Sequence, residues 1–158
     1  MNKNFFVGLV LCGLFLTSCE KKQDDEKVAT IPAITEGIYG TVVERYGDWM
    51  PGSPKGGGER PIMRSVFVYE YTKISDFESI YYSEFPMDKM PKTLVGIGRP
   101  GCNGFYEISL KPGIYSVFIE DKGKLCANGC DGYGGINPVV ISADSIVLMN
   151  LVLDHAVY

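Results

Sequence analysis

From Gly37 onward, glycine and proline interrupt the chain so often that no apolar run outlasts a strand. Seven strand-like runs lie between the breaks: Gly37–Val43, Arg64–Tyr71, Thr93–Gly98, Phe105–Leu110, Ile114–Glu120, Pro138–Ile141 and Ser145–Leu153. Short runs at regular spacing, each bounded by turn residues, are what a sandwich or barrel requires. Several of them alternate. Tyr106, Ile108 and Leu110 share one face while Glu107 and Ser109 take the other; Tyr115, Val117 and Ile119 form a second row, and Val147, Met149, Leu151 and Leu153 a third. Successive side chains of a strand point to opposite faces, so each row can pack against a facing sheet. With 19 glycines, 12% aromatic residues and a net charge of only −4, the composition belongs to a turn-rich folded chain and not a disordered one. The expectation is an all-β fold, a single β-sandwich of about seven strands. One helical turn is expected at Ser75–Glu78, which has capping-box spacing.

The connections carry their own chemistry. Lys111-Pro112-Gly113-Ile114 predicts a type II turn with a positive φ at Gly113, and Asn103-Gly104 predicts a second tight turn. Pro51–Pro61 is so rich in glycine and proline that a mobile loop is expected there.

The first residues are an address. Lys3 supplies a positive start and Phe5–Leu16 is an unbroken apolar run of secretory length, too short for a permanent span. Leu16-Thr17-Ser18-Cys19 resembles the bacterial lipobox. That resemblance implies a lipoprotein signal peptide over 1–18, lipid attachment at Cys19 with acylation of the new amino terminus, and a membrane partner held through the acyl chains. The processed chain keeps 14 basic and 19 acidic side chains, a net charge of −5. Residues 19–34 read as a lipidated cysteine and a disordered acidic linker. Glu20 to Glu26 resembles the surface-export signal of Bacteroidetes lipoproteins, with a plain soluble spacer as the other reading. The expected location is the outer membrane, on its cell-surface or its periplasmic face. An acidic balance excludes nucleic acid as a partner, since phosphates need a basic face.

A wider resemblance covers most of the remainder. Gly37-Ile38-Tyr39-Gly40-Thr41-Val42, Gly47 and Pro51-Gly52 are similar to the opening of carboxypeptidase regulatory-like domains. Ser65–Tyr69 resembles their second strand, Asn103–Val117 their central hairpin, and Val147–Tyr158 their closing strand. The resemblance implies a prealbumin-like (transthyretin-like) sandwich over 35–158 and no catalytic residue. Thr72–Pro91 and Asp121–Ile136 depart from the family pattern, and with Pro51–Pro61 they are where a function would be grafted.

No nucleophile motif and no HExxH occur, so the expectation is a protein that is not an enzyme, with no cofactor and no metal. The rival is a catalytic site outside any known motif, around Asp131, His155 and a cysteine. Gly96–Gly101 matches GxGxxG but runs into another strand where a phosphate-binding loop needs a helix. Cys126 and Cys130 are close enough in sequence for a small-loop disulfide; Cys102 with either of them is an alternative pairing, free thiols are the competing reading, and zinc on the cysteines and His155 a remote one. Asp131, with Asp121, offers too few oxygens for calcium. Trp49, Tyr81, Tyr82 and Tyr133 are the candidate ligand-binding residues, because exposed aromatics stack on sugars or anchor proteins; the competing reading is that they cover the ends of the sandwich core. Glycans and proteins are therefore the partner classes considered. A structural subunit that pairs through a sheet edge is the alternative role.

Overall fold

The structure, a computed structural model, describes residues 30–78 and 84–158. It is all-β, with eleven strands in two sheets and two single turns of 3-10 helix among the described residues, at Ile74–Asp76 and Met87–Lys89. Asp76 fixes the first of these by accepting the Lys73 N–H at 2.9 Å, so the capping box spans Lys73–Asp76, two residues earlier than the spacing predicts.

The five-stranded sheet is built on β1 (Gly37–Gly47). Along one flank lie β6 (Phe105–Ser109) and β2 (Gly57–Pro61), both antiparallel to β1. Along the other lie β10 (Ile146–Leu148) and β11 (Leu151–Asp154), both parallel to it. The six-stranded sheet runs in the order β4 (Glu84–Pro86), β8 (Lys124–Cys126), β7 (Gly113–Asp121), β3 (Val66–Glu70) and β5 (Leu94–Gly98), with β9 (Pro138–Ile141) also on β7.

Eleven strands replace the expected seven for local reasons. The Ser145–Leu153 run divides at Met149-Asn150, where Asn150 Oδ1 accepts from Thr41 N and Oγ1 and Met149 O accepts from the Tyr106 hydroxyl at 2.6 Å. Gly40 makes room for this crossing: a Cβ there would stand 2.2 Å from Met149 O. Pro51–Pro61 is not wholly a loop, since Gly57–Pro61 pairs residue by residue with Val43–Gly47. The predicted type II turn is also corrected. Gly113 is absent from the positive-φ residues and opens β7, and the turn is closed by the Tyr115 hydroxyl donating to Lys111 O at 2.9 Å. Gly104, at φ +74°, does make the Asn-Gly turn.

The predicted rows form the core between the sheets. Tyr106, Ile108, Leu110, Val117, Ile119, Leu151 and Leu153 are all at most 6% exposed and pack with Ile38, Val42, Val66 and Val68. A second core lies on the opposite face of the six-stranded sheet. Tyr69, Phe118 and Leu125 project from β3, β7 and β8 against Phe85, Ala127 and Ile136, with Phe77, Met87 and Met90 at the margin. The Phe85 and Tyr69 rings meet Phe118 edge-on at 5.4 and 5.8 Å. Described residues of both Thr72–Pro91 and Asp121–Ile136 therefore supply this core. Ser116 joins them to the sheet, its Oγ accepting from Thr72 N at 3.0 Å where the chain leaves β3. With both faces covered, β7 reads as a continuous buried run, Ser116 through Ile119.

Candidate functional site

Three places in the fold gather chemistry-bearing side chains. The first is the seam between the sheets at the end of β1. Glu44, Leu153 and His155 share one face of their sheet because β1 and β11 pair Glu44 with Leu153. His155 Nδ1 lies 2.9 Å from Glu44 Oε1, and its Nε2 lies 3.1 Å from Asp121 Oδ2 on the facing sheet. Each ring nitrogen thus faces a carboxylate oxygen, one from each sheet. Asp121 is 7% exposed, and Arg64 Nη2 stands 3.2 Å from its Oδ1. That approach is off the N–H direction, so Oδ1 accepts no hydrogen bond among the described residues. Arg60 ion-pairs with Glu44 at 2.6 Å. The hydrogen bond from His155, then that from Arg60, holds the Glu44 carboxyl below its ordinary range.

The second is the ribbon that β1 and β2 form beyond this seam. Register sets Glu44 opposite Arg60 and Arg45 opposite Glu59. On the face turned toward the other sheet, Arg60 stacks 5.0 Å from the Tyr46 ring, which rests over Gly58. On the outer face, Arg45 stacks 5.1 Å from Trp49, which rests over Gly57. A Cβ on Gly57 would stand 2.1 Å from Trp49 Nε1, so bare backbone is required beneath the indole. Two Arg45 nitrogens donate to Glu59 Oε1 at 2.9 and 2.6 Å, and Nη1 donates to the Tyr158 hydroxyl at 3.3 Å. Tyr158 donates in turn to Asp154 Oδ2 at 2.6 Å and is the leading cause of that carboxyl's lowered pKa. Trp49 is held by its indole N–H on Tyr46 O and its backbone N–H on Val157 O, and remains 43% exposed.

The third is the glycine loop after β8. Asp131 Oδ1 accepts from the backbone N–H of Tyr133 and Gly135 at 2.8 and 2.9 Å, and its Oδ2 accepts from the Tyr71 hydroxyl at 2.6 Å. The Tyr71 contact is the largest reason the Asp131 carboxyl sits below its ordinary range, and the same contact raises the Tyr71 phenol. Gly132 and Gly134 take φ of +77° and +88°, which turns Tyr133 outward to 86% exposure on a clamped loop.

The structure separates residues that the rival enzymatic reading would unite. Asp131 belongs with Tyr71 at the end of β3, whereas His155 belongs with Asp121 at its start, because β3 pairs antiparallel with β7. Trp49 and Tyr133 are likewise apart, one on the outer face of the five-stranded sheet and the other beyond the six-stranded sheet. The Cys126–Cys130 bridge is corrected. Cys126 turns into the core between the sheets from β8 while Cys130 is exposed, and both are free thiols. Since both are free, neither pairs with Cys102. Burial raises the Cys126 thiol above its usual pKa, the opposite of an activated nucleophile. Among the described residues no three His, Cys, Asp or Glu side chains are grouped to hold a metal ion. Cys19, the 1–18 leader, the acidic linker before Thr30, Tyr81 and Tyr82 lie outside the described residues.

Arg45, Tyr46, Arg60, Tyr158 and Tyr71 are site residues that sequence reasoning passed over. One signal was available for the ribbon: Glu44-Arg45 and Glu59-Arg60 are self-complementary doublets when their strands run antiparallel. No family model matches the chain, and the searches of curated proteins and of solved structures return no match either.

Proposed function

We propose that this chain is an outer-membrane lipoprotein, anchored through Cys19, whose prealbumin-like sandwich acts as a non-catalytic binding or accessory module. The observation that carries the binding role is Tyr133, an almost fully exposed aromatic on a loop that Asp131 clamps by three hydrogen bonds. An exposed aromatic held rigid loses little entropy when it is covered, which is how a recognition residue gains affinity. The non-catalytic reading rests on how the acid–base groups are employed. His155 ties two sheets together through both ring nitrogens, and Asp131 organises backbone.

Two experiments test this reading. Acyl labelling and membrane fractionation of wild type and Cys19→Ser are expected to show labelled, membrane-bound wild type and unlabelled, released variant. A photo-crosslinking residue at position 133 is expected to capture a discrete partner in cells, and Asp131→Asn to abolish the capture by loosening the loop. An unlabelled wild type defeats the anchor, and capture indifferent to Asp131 defeats the binding role. Protease accessibility on whole cells, with Asp24, Asp25 and Glu26 neutralised in a second strain, decides between the two faces of the membrane.

One observation favours a structural subunit as the second reading. β5 ends the six-stranded sheet among the described residues, and its Leu94, Val95 and Ile97 are each 42% exposed with no charge or proline inside the strand. Such an edge can accept a further strand. A proline at position 95 or 97 that removes an assembly while leaving the fold intact is the expected result for that role.

A further inference from the structure

We infer that the outer face of the five-stranded sheet lies against the lipid surface that carries the anchor, with Trp49 at the headgroup level. The inference rests on the lipoprotein reading above and adds the orientation of the domain.

The two sheets treat their outer faces differently. The six-stranded sheet buries its outer face under the second core. The outer face of the five-stranded sheet has no such cover among the described residues. Ile146 and Leu148, set beside Gly37 and Tyr39 by the β1–β10 register, are 40% and 58% exposed. At the other end of the same face stand Trp49 at 43% and Tyr158 at 64%. Exposed apolar side chains at both ends of one face mark an interaction surface. Trp and Tyr at its margin, each with an apolar body and a polar tip, are the residues that settle at a membrane–water boundary.

The route of the chain identifies the occupant. Glu107 projects from β6 on this same face, opposite Tyr39, and its Oε2 accepts the Ala33 N–H at 2.7 Å. The segment that leads back to Cys19 therefore comes off this face. Only ten residues, Glu20–Ala29, separate the lipidated cysteine from the described chain, and a stretch of that length spans at most about 36 Å. The charged groups on the face lie between its apolar ends: Arg45 is paired with Glu59 and Asp154, and Glu107 accepts the Ala33 N–H, which leaves two negative charges in surplus. The processed chain has a net charge of −5, so attraction to anionic lipid is not the force; the anchor and apolar contact are, and added salt leaves the contact in place. In this orientation the Tyr133 loop, attached beyond the other sheet, faces away from the membrane.

Trp49 is the only tryptophan in the chain, so the emission of the wild-type protein reports this position alone. The test uses the full lipidated protein in vesicles of phosphatidylethanolamine and phosphatidylglycerol, with sedimentation run in parallel. Lipids brominated near the carbonyl end are expected to quench Trp49 strongly. Its quenching by aqueous iodide is expected to fall several-fold relative to the detergent-free Cys19→Ser protein. In Trp49→Phe/Tyr133→Trp the reporter moves to the opposite side, and the expected result is full iodide quenching with no effect of brominated lipid. If wild type sediments with vesicles while Trp49 stays open to iodide, the orientation is overturned and the anchor stands. Protection from iodide without quenching by brominated lipid also overturns it, because a protein is then the cover. Wild type that fails to sediment overturns the orientation together with the lipoprotein reading on which it rests.

Discussion

The outer faces of the two sheets are built from comparable residues and end in opposite states. Phe67, Tyr69 and Phe118 project from the six-stranded sheet and are covered by aromatic and methionine side chains of the long connections. Ile146, Leu148 and Trp49 project from the five-stranded sheet and stay substantially exposed. The difference follows from chain length between strands. The link from β3 to β5 and the link from β8 to β9 are long enough to fold back over the sheet, and Ser116 pins the first of them at Thr72. The connections within the other sheet are shorter, and among the described residues they bring only the β1–β2 turn, through Trp49, onto its outer face. A β-sheet with one bare apolar face needs another body to cover it, whereas one with both faces covered is complete.

The largest effect is expected on the covered face. Phe118 is fully buried between Tyr69 and Phe85, and Phe118→Ala is expected to cost about 3–5 kcal/mol in chemical denaturation. A loss below about 1 kcal/mol would mean that the connections do not form a true core, and the contrast between the faces would collapse. Next comes Gly57→Val at the edge of the open face. Its Cβ would displace the Trp49 indole, which rests against that backbone at contact distance. The expected cost is about 1–3 kcal/mol, with a red shift of Trp49 emission that separates loss of the indole's seat from general loosening.

The inner rows of the sandwich were legible because alternation needs only the local chain: Tyr106, Ile108 and Leu110 are buried as their spacing requires. The second core was not, since Phe118 and Phe85 occupy positions that look like solvent-facing strand and irregular insertion. Their burial depends on two distant connections meeting over one sheet. The β1–β2 ribbon was hidden by a composition rule. Gly57 and Gly58 resemble flexible linker, yet their missing side chains are what let Trp49 and Tyr46 lie on the two faces of a paired strand. Gly113 failed for a related reason. Pro-Gly permits a type II turn without requiring one, and Tyr115 closes the connection by another route. Of the candidate site residues, Tyr133 and Trp49 are exposed as their loop positions suggest. Their supports, Asp131–Tyr71 and Gly57, join segments too far apart in sequence for spacing to reveal.

A smaller effect is expected at the seam where the two sheets meet. Folding lowers the Glu44 carboxyl below its unfolded value near 4.5, chiefly through the hydrogen bond from His155. A group whose folded pKa is depressed contributes stability above its unfolded pKa, and that contribution is lost as pH falls through the folded value. Wild type should therefore lose thermal stability below about pH 4.5 more steeply than Glu44→Gln. The gap at neutral pH should be about 1 kcal/mol or less, because Arg60 and solvent screen the site. Parallel melting curves for the two proteins from neutral to acid pH would remove Glu44 from the seam.

The smallest effect is the one that sharpens the comparison most. Leu148 is 58% exposed on the open face, and replacing it removes almost no burial within the domain. Leu148→Ser is expected to change stability by no more than about 0.5 kcal/mol, as substitutions outside packed sites do. Leu148 and Phe118 both lie on strands and both point away from the sandwich interior, so side-chain chemistry alone would rank them alike. If Leu148→Ser proves as costly as Phe118→Ala, the face is already covered within the folded chain and no external body is needed. If it is neutral for folding yet weakens lipid quenching of Trp49, the apolar surface at Leu148 is kept for contact made outside the domain. The free energy of that surface then appears in docking and not in folding.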